Sequence, residues 1–418
     1  MAHYLWWGRG GCVVYFGGER VKRARMDNKK RKQPGDDTRN MLVPSSNAIP
    51  DVLDFYLRFP HITSTLLSVP VPEVTPKRIA FETAVLRTDL ASRFLYLFPD
   101  KFFVFWKHVQ MLAGKDGDPC GNFIVLIFER KLSHIRVLCL SLFQIITSTV
   151  YASLESLRLC GPFDYLSGHV EEDDADLFLL HDRFETDLPE MQTLAVYNDG
   201  RFVYWSSKIS AQMNLVSRDE PINREPLIVH VNNSEHFPKC DIIGAVDPFY
   251  MIAYLVGNNL PAKYQGFFSK DWIENYGAFI AEVEMIAKIR KEQSVGLPFH
   301  GIGIRVPIVN NVGYRPLNEK TGKLKELMIS AATTSDEAMK KRKLEKIMEI
   351  INSVQFANDE RDFGMGLELG HDMFWSNYGC FDKVAKRLLV TAYKLLDRNT
   401  YAHLIEIHMP YRRPLNYW

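Results

Sequence analysis

The chain has 418 residues, of which 46% are hydrophobic and 24% are charged, and its formal net charge is +1. This composition is ordinary for a soluble globular protein, and the length is sufficient for two modest domains. The balanced charge excludes a protein that binds polyanions over its whole surface. The six cysteines are scattered without a CxxC pair, so the sequence offers neither a zinc site nor a disulfide framework.

Residues 1–48 are predicted to form a disordered, basic N-terminal tail. Eight lysines and arginines lie between Arg20 and Lys32, and such a run cannot bury itself. Three interpretations stay open: a nuclear-import signal centred on Lys29 to Lys32, a contact with DNA phosphates, and a plain solvated tail.

Residues 49–270 are predicted to form an α+β domain. An aromatic helix is expected over residues 97–109, with Asp100 able to cap its start. Residues 121–154 form the most apolar stretch of the chain. A buried helix or an inserted segment foreign to the fold suits this stretch better than a transmembrane helix, because polar residues and an arginine dilute it.

Strand patterns follow in the same domain. The turn Asn198-Asp199-Gly200 separates two β-rich runs over residues 194–205, which predicts a hairpin. Residues 226–231 and 240–245 are predicted as further strands, and a helix is expected to begin at Asp247 and Pro248. The pattern indicates a small, mostly antiparallel sheet with helices packed on it.

Residues 271–418 are predicted to form a mainly helical domain. The helix over residues 335–356 is expected to be capped by Ser335 and to present Leu344, Ile347, Met348 and Ile351 on one apolar face. The last helical segment, over residues 382–409, is expected to break near Asn399.

Four charged residues, Asp359 to Asp362, follow the helix that is predicted to end near Phe356. A turn built on Gly364 and Gly366 is expected after them. From spacing alone, a solvated helix end is favoured over an acid–base site. Upstream, residues 299–317 predict a strand that leads into a loop with Tyr314-Arg315-Pro316, where the arginine is either a partner contact or an ordinary surface residue.

Three segments resemble the histone PARylation factor family closely: "VQFANDERDFGMGLELGHDMF", "FHGIGIRVPI" with "VGYR", and "FDKVAKRLLVTAYKLLDRN". The resemblance runs from about Leu90 to the C-terminus. Residues 121–154 have no counterpart in the family, so a lineage insertion and a gene-model error both stay open.

The resemblance implies an accessory protein that is not active alone. Members of the family dock on the catalytic domain of DNA-damage-activated poly(ADP-ribose) polymerases, which hold NAD, and complete a joint active site for serine modification of histones and other targets. The matching glutamate is Glu360. Asp359, Tyr314 and Arg315 match the docking residues, and Asp362 is grouped with them as partner-binding. The implied location is the nucleus, on chromatin at sites of DNA damage.

The resemblance implies no cofactor or metal bound by this chain, no membrane partner, and at most indirect or weak DNA contact through the tail. Two other functions stay open. One is an autonomous acid–base hydrolase that uses Glu360 with Asp359 or Asp362, although such pairs normally come from separate elements. The other is a chromatin scaffold that binds nucleic acid through residues 20–32.

Overall fold

The computed structural model describes residues 76–113, 157–170, 174–207, 225–258 and 270–412. The predicted basic tail and the apolar stretch 121–154 lie outside these residues. The described residues contain an antiparallel sheet of five strands in the order β1-β2-β3-β4-β5. The strands are β1 (Arg158–Leu159), β2 (Met191–Tyr197), β3 (Gly200–Trp205), β4 (Leu227–Asn232) and β5 (Cys240–Ala245).

The predicted hairpin and the two later strands are confirmed. Tyr197 pairs with Gly200, so the connection between β2 and β3 is a tight turn of two residues, Asn198 and Asp199. This turn fixes the register of the neighbouring pairs and therefore decides which side chains point to each face of the sheet.

Eleven helices lie in the described residues, and together with the sheet they confirm an α+β fold with a helical C-terminal region. They are α1 (Pro76–Phe94), α2 (Asp100–Ala113), α3 (Pro162–Leu166), α4 (Ala175–Leu180), α5 (Phe249–Asn258), α6 (Lys270–Glu292), α7 (Thr321–Thr333), α8 (Glu337–Asp359), α9 (Phe363–Ser376), α10 (Asp382–Leu395) and α11 (Asn399–Tyr411). None of the helices that the structure describes is both long and apolar enough to cross a bilayer.

The sheet is buried on both faces. Phe202 and Tyr204 face an aromatic core formed with α1, α2, α3 and α5. Val203 and Trp205 face a second core, formed with α7 to α11. Because successive side chains of a strand point to opposite faces, one strand contributes to both cores. The second core joins side chains from both sides of residue 270, and the predicted domain boundary there stays a prediction.

Three local predictions about the C-terminal region are wrong. The cap of α8 is Asp336, whose carboxylate accepts from the backbone N–H groups of Ala338 and Met339, and not Ser335. Met348 is exposed, because it points away from the core that α8 covers. Residues 299–317 form no strand and contain only isolated bridges, such as Val309 with Val312.

The break near Asn399 is confirmed, because α10 ends at Leu395 and α11 begins at Asn399. These two helices and α9 pack side by side around Leu389, which is fully buried. The packing holds α9 under the turn that follows α8, where the candidate site lies.

Candidate functional site

The four charged residues Asp359 to Asp362 form the junction between α8 and α9. Arg361 adopts a left-handed backbone with φ 67°, and its N–H donates to the carbonyl of Asn358 at 3.0 Å. The N–H of Asp362 donates to the carbonyl of Ala357 at 2.8 Å. These two bonds form a Schellman ending, which satisfies the last carbonyls of α8 and turns the chain sharply.

This turn leaves Asp359 and Glu360 on the surface. The Glu360 side chain is 58% exposed, and its carboxylate accepts a hydrogen bond from the guanidinium of Arg315. Asp359 is also exposed, and its carboxylate makes no hydrogen bond or ion pair with a described residue. The Glu360 carboxylate is therefore accessible to solvent as far as the described residues are concerned.

Asp362, in contrast, points inward, with a side chain that is 10% exposed. One of its oxygens accepts from the backbone N–H of Gly313 at 2.9 Å, and the other lies 3.1 Å from Nη2 of Arg315. The N–H of Gly364 donates back to the carbonyl of Gly313 at 2.9 Å. Asp362 thus ties the 313–315 loop to the α8–α9 junction, and its predicted contact with a partner stays a prediction.

Arg315 lies between the exposed and the buried carboxylate of this junction. Its hydrogen bond to Glu360 raises the pKa of the Arg315 guanidinium, so it carries its charge at any physiological pH. A fixed cation held by Asp362 on one side orients the Glu360 carboxylate on the other.

The predicted turn on Gly364 and Gly366 is wrong, because both glycines lie inside α9. They are needed for close packing. A Cβ on Gly364 would lie 2.9 Å from Cδ2 of Tyr314 and 3.0 Å from the carbonyl oxygen of Gly313. The glycine therefore allows the 313–315 loop to lie directly on the first turn of the helix.

Two acidic residues that sequence reasoning missed lie further along α9. Glu368 accepts hydrogen bonds from Oη of Tyr314 at 2.9 Å and from the N–H of Leu297 at 3.1 Å. Asp372 accepts from the N–H of Phe299 at 2.7 Å. Burial raises the pKa of both carboxyl groups. The only signal in the sequence is their four-residue spacing, which places them on one helix face.

A chain of buried polar groups fixes α9 from the other side. The rings of His300 and His371 approach to 3.1 Å between Nε2 and Nδ1, and Nε2 of His371 lies 3.0 Å from Oη of Tyr393. The Tyr393 hydroxyl donates to Glu190 at 2.8 Å. Such a connected network holds the helix in one position beneath the junction.

Exposed apolar side chains lie in the two chain segments that precede the Glu360 carboxylate and its partner Arg315. Phe356, one helical turn before Glu360, is 66% exposed, and so is Val309 in the loop before Gly313. Ile308 and Val312 are exposed as well. We call these four residues the exposed apolar group; such residues mark a protein interface when they form a contiguous patch.

One group of described residues, away from this junction, has the geometry to hold a metal ion: Asp164, His181 and Asp182. Arg158 already bridges it, with Nη1 3.0 Å from Asp164 and Nη2 3.2 Å from Asp182. Hydrogen bonds to Asp164 and Asp182 raise the pKa of His181 to about 9. These cations neutralise the carboxylates, so the group is an ion-pair cluster; the prediction of no metal site stays a prediction.

Comparison with known proteins agrees with the motifs. The family model for histone PARylation factor 1 matches residues 144–412. Histone PARylation factor 1 of Bos taurus is 30% identical over 345 residues, which are 78% of this chain and 87% of the relative. The Danio rerio protein of the same name is 32% identical over 269 residues, 61% of this chain and 74% of the relative. A human protein described as putative histone PARylation factor 1-like is 29% identical over 345 residues, 79% of this chain and 88% of the relative.

The matched region contains the α8–α9 junction, Arg315 and both buried acids of α9. The chain belongs to the histone PARylation factor 1 family.

Proposed function

We propose that this chain docks on the catalytic domain of a poly(ADP-ribose) polymerase and supplies Glu360 as the general base of a joint active site for serine ADP-ribosylation. The observation that carries the proposal is the open Glu360 carboxylate, which Arg315 holds in a part of the chain that also exposes Phe356, one helical turn earlier. The family name supports a role in histone PARylation.

The chemistry requires a base. A serine hydroxyl is a weak nucleophile unless a neighbouring group takes its proton as the new bond forms. A carboxylate can accept that proton while the hydroxyl oxygen attacks the ribose carbon and nicotinamide leaves. In this proposal NAD lies in the partner's pocket, and this chain contributes only the proton acceptor.

In this proposal the exposed apolar group brings a carboxylate on one protein to a reaction on another. Burial of Phe356 and Val309 against the polymerase stabilises the complex, at about 25 cal/mol per Å² of apolar area. The same contact excludes water from Glu360. Asp359, with no partner among the described residues, is free to pair with a cation of the polymerase, and Tyr314 supports the loop that carries Arg315.

The test is a reconstituted assay with the full chain, a polymerase catalytic domain, NAD and a histone substrate. We expect Glu360→Gln to lower the rate of serine modification by about 10²–10⁴-fold, the usual contribution of a general base, with polymerase binding retained. The matched control is Asp359→Asn, the same chemical change one residue away. This control should affect binding and leave the rate at saturating concentrations within a few-fold.

Serine transfer at an unchanged rate by Glu360→Gln at saturation would contradict the proposal. Turnover of ADP-ribosyl substrates by the isolated chain would favour the hydrolase instead. Both results are read in the same assay, with and without the polymerase.

The proposal places the protein in the nucleus, on chromatin at sites of DNA damage. The support is the basic run Lys29 to Lys32, which lies outside the described residues. Substitution of these four residues by alanine should move a fluorescently tagged chain out of the nucleus, as seen by microscopy. Salt-dependent DNA binding that disappears with the same substitution would instead support the scaffold function.

A further inference from the structure

A pocket opens beside the 313–315 loop. It has a volume of about 410 Å³ and lies between the end of α6, the loop before α7 and the middle of α9. This volume is within the range of roughly 300–1,000 Å³ that is usual for binding pockets. None of the predicted site residues except Tyr314 lines it.

The floor of this pocket is acidic. Glu368 and Asp372 lie one turn apart on α9 and both line the cavity. Asp372 is only 2% exposed, and no lysine or arginine pairs with either carboxyl group among the described residues. Two acids buried together without a cation are costly, and buried carboxyl groups normally have a partner.

Asp372 has unused hydrogen-bonding capacity. Its Oδ1 accepts from the N–H of Phe299, and its Oδ2 has no hydrogen-bond partner among the described residues. This oxygen keeps a small contact with solvent through the pocket that Asp372 lines. An acceptor at the floor of an open pocket is therefore available to a ligand.

The walls of the pocket are aliphatic. Val295, Leu297, Pro316 and Leu317 line it above the acids. A long side chain with an apolar stem and a charged tip matches this arrangement, because the stem contacts the walls while the tip reaches the acceptors. The rim carries Lys291 and Lys320, which are exposed, and Glu319 beside them. Water and salt screen these rim charges far more than the buried floor.

We propose that this pocket binds the side chain of a lysine or arginine from a basic protein segment, with Asp372 and Glu368 accepting from its cationic end. Ionisation of the two acids accompanies binding and creates the charge-assisted hydrogen bonds that hold the ligand. The pocket adjoins the loop of Arg315, so an occupant lies near the α8–α9 junction. Binding itself does not depend on the proposed function; the basic segment is part of the modified protein only if that function holds.

The test is fluorescence anisotropy with the full chain and labelled eight-residue peptides of glycine, serine and alanine that differ at one position. That position is lysine, arginine or norleucine, the uncharged analogue of the lysine stem. We expect at least one of the charged peptides to bind about tenfold more tightly than the norleucine peptide. Asp372→Asn, which keeps the shape and the bond from Phe299, should remove this difference.

Asp397→Asn is the matched control, since it makes the same change at an exposed acid outside the pocket, and it should leave the preference intact. Leu297→Trp changes a half-exposed residue of the pocket wall. The larger side chain should narrow the pocket entrance and lower the affinity for the charged peptide, while both acids remain. This variant tests the pocket even if Asp372→Asn fails to fold, as judged by its thermal melting curve.

Equal binding of the charged and norleucine peptides by the wild-type chain would overturn the proposal. A preference that survives both Asp372→Asn and Leu297→Trp would also overturn it, because the cation would then bind elsewhere. The experiment contains neither polymerase nor NAD, so its failure leaves the proposed role of Glu360 untouched.

Discussion

The junction after α8 carries two exposed acidic side chains, Asp359 and Glu360, and the middle of α9 carries two buried ones, Glu368 and Asp372. Asp359 and Glu360 are exposed, and only Glu360 has a described partner, the cation Arg315. Glu368 and Asp372 are buried, and backbone N–H groups and a tyrosine are their hydrogen-bond partners. Burial raises the pKa of the second pair.

The backbone conformation decides whether a carboxylate in this region is exposed or buried. The left-handed residue Arg361 ends α8 and leaves the first pair in solvent. Glu368 and Asp372 lie on one face of α9, and this face packs against residues 293–317. An exposed carboxylate is accessible to a partner, whereas a buried carboxyl group favours its neutral form until a cation arrives.

The largest effect on stability is expected for Asp362, which separates the two environments. Asp362→Ala removes the acceptor of the buried Gly313 N–H and one partner of Arg315, so the free energy of unfolding should fall by about 2–3 kcal/mol. Urea unfolding followed by circular dichroism measures it. Asp359→Ala, at the exposed end, should change stability by less than about 0.5 kcal/mol; equal losses would refute the inward role of Asp362.

The packing of the loop on α9 predicts the next effect. Gly364→Ala introduces a Cβ within about 3 Å of Tyr314 and Gly313, and we expect a net loss of about 1–2 kcal/mol, since overpacking exceeds the gain in helix propensity. Gly322→Ala in α7 is the control, because nothing lies within 4 Å of its Cβ, and its stability should be unchanged or higher. Thermal unfolding compares the two variants. A Gly364→Ala protein as stable as the wild type would show that the 313–315 loop moves away from α9 without cost.

Arg315 connects the exposed pair to the proposed partner. Arg315→Ala should weaken binding to the polymerase catalytic domain by about tenfold, because the proposed interface loses a charged contact. Titration calorimetry measures the change. Arg361→Ala, an exposed arginine of the same junction, serves as the control, and unchanged affinity of Arg315→Ala would remove Arg315 from the interface.

The smallest effect on stability is expected at His181, which pairs with the acids Asp164 and Asp182. Hydrogen bonds to Asp164 and Asp182 raise the pKa of His181 from 6.5 to about 9. A raised pKa means that the stabilisation is complete below pH 6.5 and is lost as the pH rises toward 9. Because about a third of the His181 side chain (31%) is exposed and solvent screens its charge, we expect a stabilisation of only about 1 kcal/mol.

The measurement is urea unfolding of the wild type and His181→Gln at pH 6 and above pH 9.5. The wild type should be the more stable protein at pH 6, and the two curves should converge at high pH. A difference that is constant over this range would mean that the protonated imidazole is not the source.

The sequence by itself determined the elements that depend on neighbouring residues. The Asn198-Asp199-Gly200 turn and the break before Asn399 were predicted correctly, because local turn chemistry and helical periodicity decide them. The family was identified from contiguous motifs, and the comparisons confirmed it. The roles of Glu360, Asp359, Tyr314 and Arg315 came with that resemblance and stay proposals.

The tertiary structure alone decided which distant segments contact the α8–α9 junction and α9. Gly313 and Asp362 are 49 residues apart, and the bonds to Glu368 and Asp372 span 71 and 73 residues. Local sequence patterns contain no information on such distant pairs. Gly364 and Gly366 were therefore predicted to form a turn, and Glu368 and Asp372 were not predicted as site residues. Whether a carboxylate becomes an open base or a buried acceptor depends on which distant segment packs against its helix, and the folded chain settles that by burial.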